Sequence, residues 1–227
     1  MTTTEEKLSS ITLCWLRYLF RKPKMLRFYN TWRKSLKAEG FSPYDQFPWI
    51  VYEAIDWLES FLTREMQVLE WGSGGSTIFF AKRVQSVVTI EHDPEWYSTL
   101  FHQLRQDNIS NVRLVLCPPE ESETGDEAYT STDAAYKELS FRSYAEAIDS
   151  YPDQFFDLVF VDGRARQACM RHAFVKIRPG GYLLLDNSDR PHYQSEKPLL
   201  SDWGRQEFYG PGPYNDYFWE TTVWKRL

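Results

Sequence analysis

Short, almost wholly apolar runs separated by helix-length segments constrain this chain most. "QVLEW", "VVTIE", "VRLVL", "FDLVFV" and "YLLLD" follow one another from residue 67 to 186. Between the first three lie "TIFFAKRV" and "PEWYSTLFHQLRQDN", the latter opening on Pro94 and repeating apolar residues at helical spacing. "RARQACMRHAFVKI", a further helical segment, is stopped by "RPGG" before the fifth run. A strand apolar along its whole length must be covered on both faces, which a parallel sheet flanked by helices provides. The expected fold is therefore a doubly wound α/β domain over residues 48–227. The segment "RQEFYGPGPYNDYFWETTVWKRL" reads as two aromatic strands joined by a Gly-Pro loop, an antiparallel hairpin on one edge.

Two stretches break the alternation. Residues 118–152, beginning "PPEESETGDEAYTSTD", are a long acidic insertion where a short helix would suffice, either an active-site flap or a surface excursion without order. Residues 1–47 form a basic extension: nine Lys or Arg against Glu5 and Glu6 give the first 37 residues a net charge of +7, leaving −13 for the rest of the 227-residue chain. Pro23 should divide this extension into two helices. Its interleaved aromatic, aliphatic and basic residues suit packing against the acidic body or a second copy of the chain. An anionic membrane would want a cleaner apolar face, and is the lesser expectation.

The overall charge of −6 disfavours nucleic acid as a partner, since such domains usually carry a basic footprint. Three widely spaced cysteines, Cys14, Cys117 and Cys169, form neither a disulfide framework nor a zinc motif, and point to a reduced, cytoplasmic setting. No apolar run approaches the ~18 residues a membrane span needs, and "MTTTEEKLSS" lacks the features of a secretion signal.

The loop after the first strand, "EWGSGGST", holds Gly72, Gly74 and Gly75, which allow a sharp turn and a ligand close to the backbone. Glu91 ends the second strand 19 residues after Gly72, where an acid can bond the two ribose hydroxyls of an adenosine cofactor. His92 and Asp93 follow as strand-end residues, and Asp93 can also cap the next helix. A dinucleotide fingerprint would need glycine at Thr77.

The order acid-x-Gly-x-Gly instead resembles the first motif of the class I S-adenosylmethionine-dependent methyltransferases. "TIEHD", "FDLVFVDG" and "IRPGGYLLLDN" resemble later motifs of that family in the same order. The resemblance implies a mostly parallel seven-stranded sheet with an antiparallel C-terminal strand, and S-adenosylmethionine as cofactor. It places Glu70, Gly72, Ser73, Gly74, Gly75 and Ser76 beneath that cofactor, and Glu91, His92 and Asp162 beside it.

Asp162, Asp186 and Asn187 end adjacent strands and can reach one point. They resemble the Mg²⁺ site of the catechol and caffeoyl-coenzyme A O-methyltransferases, with Ala165 where those enzymes carry a lysine base. The expected activity is O-methylation of a small molecule. Asp162, Asp186 and His192 are the candidate catalytic residues; without a metal, His192 is a candidate base, and Asp162, Asp186 or Asp189 could orient or deprotonate the acceptor. Tyr193, Tyr214, Tyr217, Phe218 and Trp219 are candidates for an aromatic wall over the acceptor, or for core. An NAD-dependent oxidoreductase and a non-catalytic scaffold are the alternatives.

Overall fold

A computed structural model describes residues 4–37, 46–121, 126–193 and 196–227, without the side chains of residues 4–10 and 192. Two helices open the chain, α1 (Thr4–Arg21) and α2 (Leu26–Ser35), divided by a 3-10 turn at Pro23–Met25. The proline lacks the N–H a continuous helix would require there. After α3 (Tyr52–Phe61) the alternation begins: β1 (Gln67–Trp71), α4 (Gly75–Ala81), β2 (Ser86–Glu91), α5 (Pro94–Gln106) and β3 (Val112–Leu116). It continues through α6 (Arg142–Glu146), β4 (Phe156–Val161), α7 (Arg166–Lys176) and β5 (Ile177–Asp186) to the strands β6 (Gly204–Gly210) and β7 (Trp219–Lys225).

These seven strands form one sheet in the order β3-β2-β1-β4-β5-β7-β6. The first five are parallel; β7 runs antiparallel to both β5 and β6. Every residue of β4 is buried, as its unbroken apolar run requires. The order reverses between β1 and β4, so a crevice opens beyond their carboxyl ends, where doubly wound sheets bind ligands.

The "RPGG" stop is more than a turn. Arg178 to Gly181 form a bulge inside β5, whose pairing with β4 shifts register between Phe156 and Leu158. Gly180 takes φ +78°, which side-chain-bearing residues rarely adopt.

The insertion is ordered in its described part. Glu120–Glu121 pairs antiparallel with Leu139–Ser140, and Tyr129, Phe141, Tyr144 and Ile148 are buried in the core cluster on one face of the sheet. The cluster on the other face takes in the N-terminal helices, because Trp15, Met25, Phe28 and Trp32 pack with Tyr52, Phe208 and Trp219. Among the described residues no helix is long and apolar enough to cross a membrane.

Candidate active site

The glycine loop is built from beneath. Glu70 is wholly buried at the end of β1 and accepts hydrogen bonds from the hydroxyls of Ser76 (2.7 Å), Thr89 (2.8 Å) and Thr77. Thr77 also accepts from the Gly74 N–H at 3.1 Å. This is why threonine, and not a third glycine, stands there: it links the buried acid to the loop. Glu70 and Ser76 thus hold the start of α4 and direct their oxygens at each other.

Burial raises the Glu70 carboxyl to about 7, against the opposing pull of those three hydroxyls. The folded state binds this proton more tightly than the unfolded state does. Glu70 therefore contributes stability that is full below about pH 4.5 and is lost as pH rises towards 7. Glu70→Gln keeps the oxygen and removes the charge. Its melting temperature should fall less than the wild-type value between pH 5 and 8, by a margin worth about 2 to 3 kcal/mol. Parallel slopes in a thermal-melt series would show that Glu70 stays ionised.

Above this base the loop runs against another backbone. Gly72 has φ +91°, and a Cβ there would lie 3.0 Å from the backbone of Gly163, after β4. A side chain at Gly163 would in turn meet the Tyr144 hydroxyl of α6 at 1.9 Å. Two chain segments and the insertion meet here too closely for side chains. A Cβ on Gly75 would strike the Phe47 carbonyl, so that glycine serves packing, whereas one on Gly74 would make only ordinary contact with Trp96. Trp96 Nε1 donates to the Ser73 carbonyl at 2.8 Å and pins the loop from α5.

Glu91 faces the same loop. Its Oε2 accepts from the Ser73 N–H (3.0 Å) and hydroxyl (2.6 Å), and its Oε1 from the N–H groups of His92 (2.7 Å) and Asp93 (2.9 Å). Burial pushes this carboxyl up, but the hydrogen bonds from His92, Ser73 and Asp93 outweigh it, and the net displacement is below the ordinary value. Glu91 is a fixed anion, almost fully buried beside the glycine loop. The His92 ring packs against Tyr136, Phe141 and Tyr144, with Nδ1 2.8 Å from Glu91 Oε1 but off the line of a hydrogen bond. Asp93 caps α5 by accepting from Glu95 and Trp96.

The residues at the ends of β4 and β5 converge, but on a cation supplied by the chain. Arg166, in the first turn of α7, places Nη2 2.9 Å from Asp162 Oδ1 and 3.1 Å from the Asp162 carbonyl. Its Nη1 donates to the Asp186 carbonyl (2.5 Å) and reaches Asn187 Oδ1 at 3.4 Å, and Nε donates to the Gly163 carbonyl (2.9 Å). A guanidinium therefore sits where the sequence suggested Mg²⁺. The Asp186 carboxylate turns the other way, accepting from Trp219 Nε1 (2.8 Å) and Thr221 Oγ1 (2.6 Å) on β7. The metal expectation for Asp162, Asp186 and Asn187 finds no support in this arrangement: Asp162 and Asn187 meet the Arg166 guanidinium, and the Asp186 carboxylate is taken up by β7. No group of three His, Cys, Asp or Glu able to hold a metal occurs among the described residues.

Asp162 keeps about a fifth of its side chain exposed. Burial pushes its carboxyl well above the usual carboxylate range, with Arg166 opposing. Asp186 is raised too, by burial first, and is cut off from the crevice by Trp219 and Thr221. The His192 side chain lies outside the described residues. Of the aromatic-wall candidates only Tyr193 stands at the crevice; Trp219 holds Asp186, Tyr217 and Phe218 line a separate cavity against α1, and Tyr214 packs on Trp49.

Beside Gly163 lies a pocket of about 370 Å³. Thr130, Ser131, Thr132 and Lys137 of the insertion line it together with Arg164, Arg166, Arg190 and Tyr193. Lys137 was missed in the sequence because its placement depends on how the insertion folds back. A larger cavity of about 940 Å³ lies between α1 and the β6–β7 hairpin, away from the glycine loop.

The family profile of protein-L-isoaspartate (D-aspartate) O-methyltransferases matches residues 23–130, the stretch containing the glycine loop and Glu91. The fold is that of class I S-adenosylmethionine-dependent methyltransferases. It is shared with solved structures. A precorrin-6y C5,15-methyltransferase of Geobacter metallireducens superimposes with a TM-score of 0.53 at 15% identity, covering 76% of this chain and 86% of that one. A Streptococcus mutans protein assigned as a methyltransferase and solved with SAH gives 0.51 at 13% identity, covering 76% and 96%. An rRNA methylase of Streptococcus thermophilus gives 0.50 at 13% identity, covering 78% and 96%. A sequence comparison with curated proteins gives no match.

The glycine loop and Glu91 are the residues that would hold S-adenosylmethionine. Gly72 brings bare backbone to the crevice, and Glu91 offers a fixed carboxylate of the kind two vicinal ribose hydroxyls need.

Proposed function

We propose that the enzyme methylates an oxygen of a small molecule that carries an acidic group. The observation that carries this reading is the pocket beside Gly163. Its volume of about 370 Å³ suits a small acceptor, within the range of about 300–1,000 Å³ usual for ligand sites. Four cations line it, Lys137, Arg164, Arg166 and Arg190, against the single acid Glu127. Arg166 is committed to Asp162, Arg164 pairs with Asp133 at 3.0 Å, and the Thr130 hydroxyl donates to the Glu127 carbonyl, so Lys137, Arg190 and the Ser131 and Thr132 hydroxyls are the groups left to an anion.

Bound S-adenosylmethionine would supply a methyl group already activated by its sulfonium. Glu70, Ser76 and Thr77 would hold the glycine loop in register, and Glu91 would fix the ribose. The basic pocket would orient the acceptor, and such positioning supplies much of the rate in a displacement of this kind. Asp162, immediately before Gly163, would take the proton of an acceptor hydroxyl. Its raised pKa brings it nearer working pH than an ordinary aspartate, as a general base requires.

The matching family, named for protein isoaspartate O-methylation, favours a second reading in which the acceptor oxygen is itself a carboxylate. The same cations would hold it, and no base would be required.

The test is transfer of labelled methyl to phenols with and without a carboxylate or phosphate, with an isoaspartyl peptide and RNA in the same panel. Acid-bearing small molecules should be the better acceptors. Asp162→Asn should slow transfer to a hydroxyl about 100-fold, and a chelator of divalent ions should leave the rate unchanged. Label confined to RNA, or to neutral phenols, would sink the acidic small-molecule reading.

A further inference from the structure

The two faces of α1 differ sharply. Ile11 and Trp15 are buried and Tyr18 is half-buried, so this face packs into the core cluster below the sheet. On the opposite face Leu13, Leu16 and Phe20 follow at intervals of three and four residues, which stacks them on one stripe of the helix. Phe20 is 92% exposed and Leu16 61%; just past the Pro23 break Leu26 is 62% exposed. Arg17, Arg21 and Lys24 stand exposed among them.

An isolated exposed leucine needs no explanation, but four large apolar side chains within fourteen residues, beside three exposed cations, form a surface of definite character. The intramolecular packing anticipated for this segment uses only its other face. We infer that the exposed face of α1 and the turn leading into α2 form a docking surface for an anionic lipid bilayer, with Phe20 and the leucines entering the headgroup boundary and Arg17, Arg21 and Lys24 meeting lipid charge. Charge complementarity selects this occupant. The first 37 residues carry +7 and the remainder −13, so a negative bilayer attracts this end of the molecule and repels the rest, which fixes the orientation. Aromatic and aliphatic tips among cations are the composition of helices lying in a membrane interface.

The test is co-sedimentation of the full chain with phosphatidylglycerol-containing vesicles and with pure phosphatidylcholine vesicles, at low and high salt. Binding should require the anionic lipid and weaken with salt. Phe20→Ser should reduce the bound fraction roughly tenfold or more, the loss expected for one buried phenyl ring. Arg17→Gln with Arg21→Gln should weaken it without affecting dichroism or cofactor affinity. Absence of sedimentation with anionic vesicles overturns the inference. So does a dimer in light scattering that Phe20→Ser dissolves while vesicles bind nothing, which would make the face a contact between two copies. Neither result bears on methyl transfer.

Discussion

Arg166→Met is expected to lower stability by about 3 to 5 kcal/mol, the usual cost of removing one partner from a buried ion pair. The side chain is only a tenth exposed. It satisfies the Asp162 carboxylate and the carbonyls of Asp162, Gly163 and Asp186, groups brought together from the ends of two neighbouring strands. Methionine fills comparable volume but satisfies none of them. For a domain of this size the melting temperature should drop by roughly 10 °C. Arg166→Lys should recover little, because one ammonium cannot span both strand ends. Cofactor binding should survive in the folded fraction, since the glycine loop is held by Glu70 and Trp96. A melting point within about 2 °C of wild type would show that water or a rearranged Asn187 replaces the guanidinium.

The second large effect is expected at Glu91. Glu91→Gln leaves one acceptor oxygen where four donors now converge, and its amide N–H groups would face other donors. S-adenosylmethionine affinity should fall by about 1.5 to 3 kcal/mol, or roughly 10- to 150-fold. Ser73→Ala separates the two tasks of this carboxylate. The Ser73 hydroxyl occupies Oε2, so a ribose hydroxyl must displace it or share that oxygen. Ser73→Ala should therefore leave cofactor affinity unchanged or tighter. Titration calorimetry on both variants decides the matter: equal weakening in the two would mean that Glu91 acts only by shaping the loop.

The strands were legible because burial on two faces leaves little choice of residue: "FDLVFV" can hardly be anything else. The glycine loop was legible because backbone crowding against Gly163 restricts it to glycine. Arg166 was not. A guanidinium stays protonated and suggests no base, and its value as a fixed cation depends on carbonyls that only tertiary structure gathers. The one available signal was its spacing of four from Asp162, across the junction of a strand and a helix. Asp186 was placed correctly at its strand end, but its direction follows from the register Asp186↔Thr221 with β7, a pairing that no local pattern reveals. The insertion was equally opaque, because Tyr129 and Phe141 are too few and too far apart to announce a buried face.

That pairing with β7 has a consequence for how the protein is made. β7 comes after β6 in the chain yet lies inside it, wedged between β6 and β5. While the ribosome is still extending the chain, β5 has no neighbour on that side, and the Asp186 carboxylate lacks both Trp219 and Thr221. The strands up to residue 186 can collapse as they emerge, but the surroundings of Asp186 cannot be set until residues 219–225 have emerged and paired with β5, bringing β6 with them. Until then the nascent chain carries its glycine loop beside an unfinished sheet, and an open strand flank that other chains can reach.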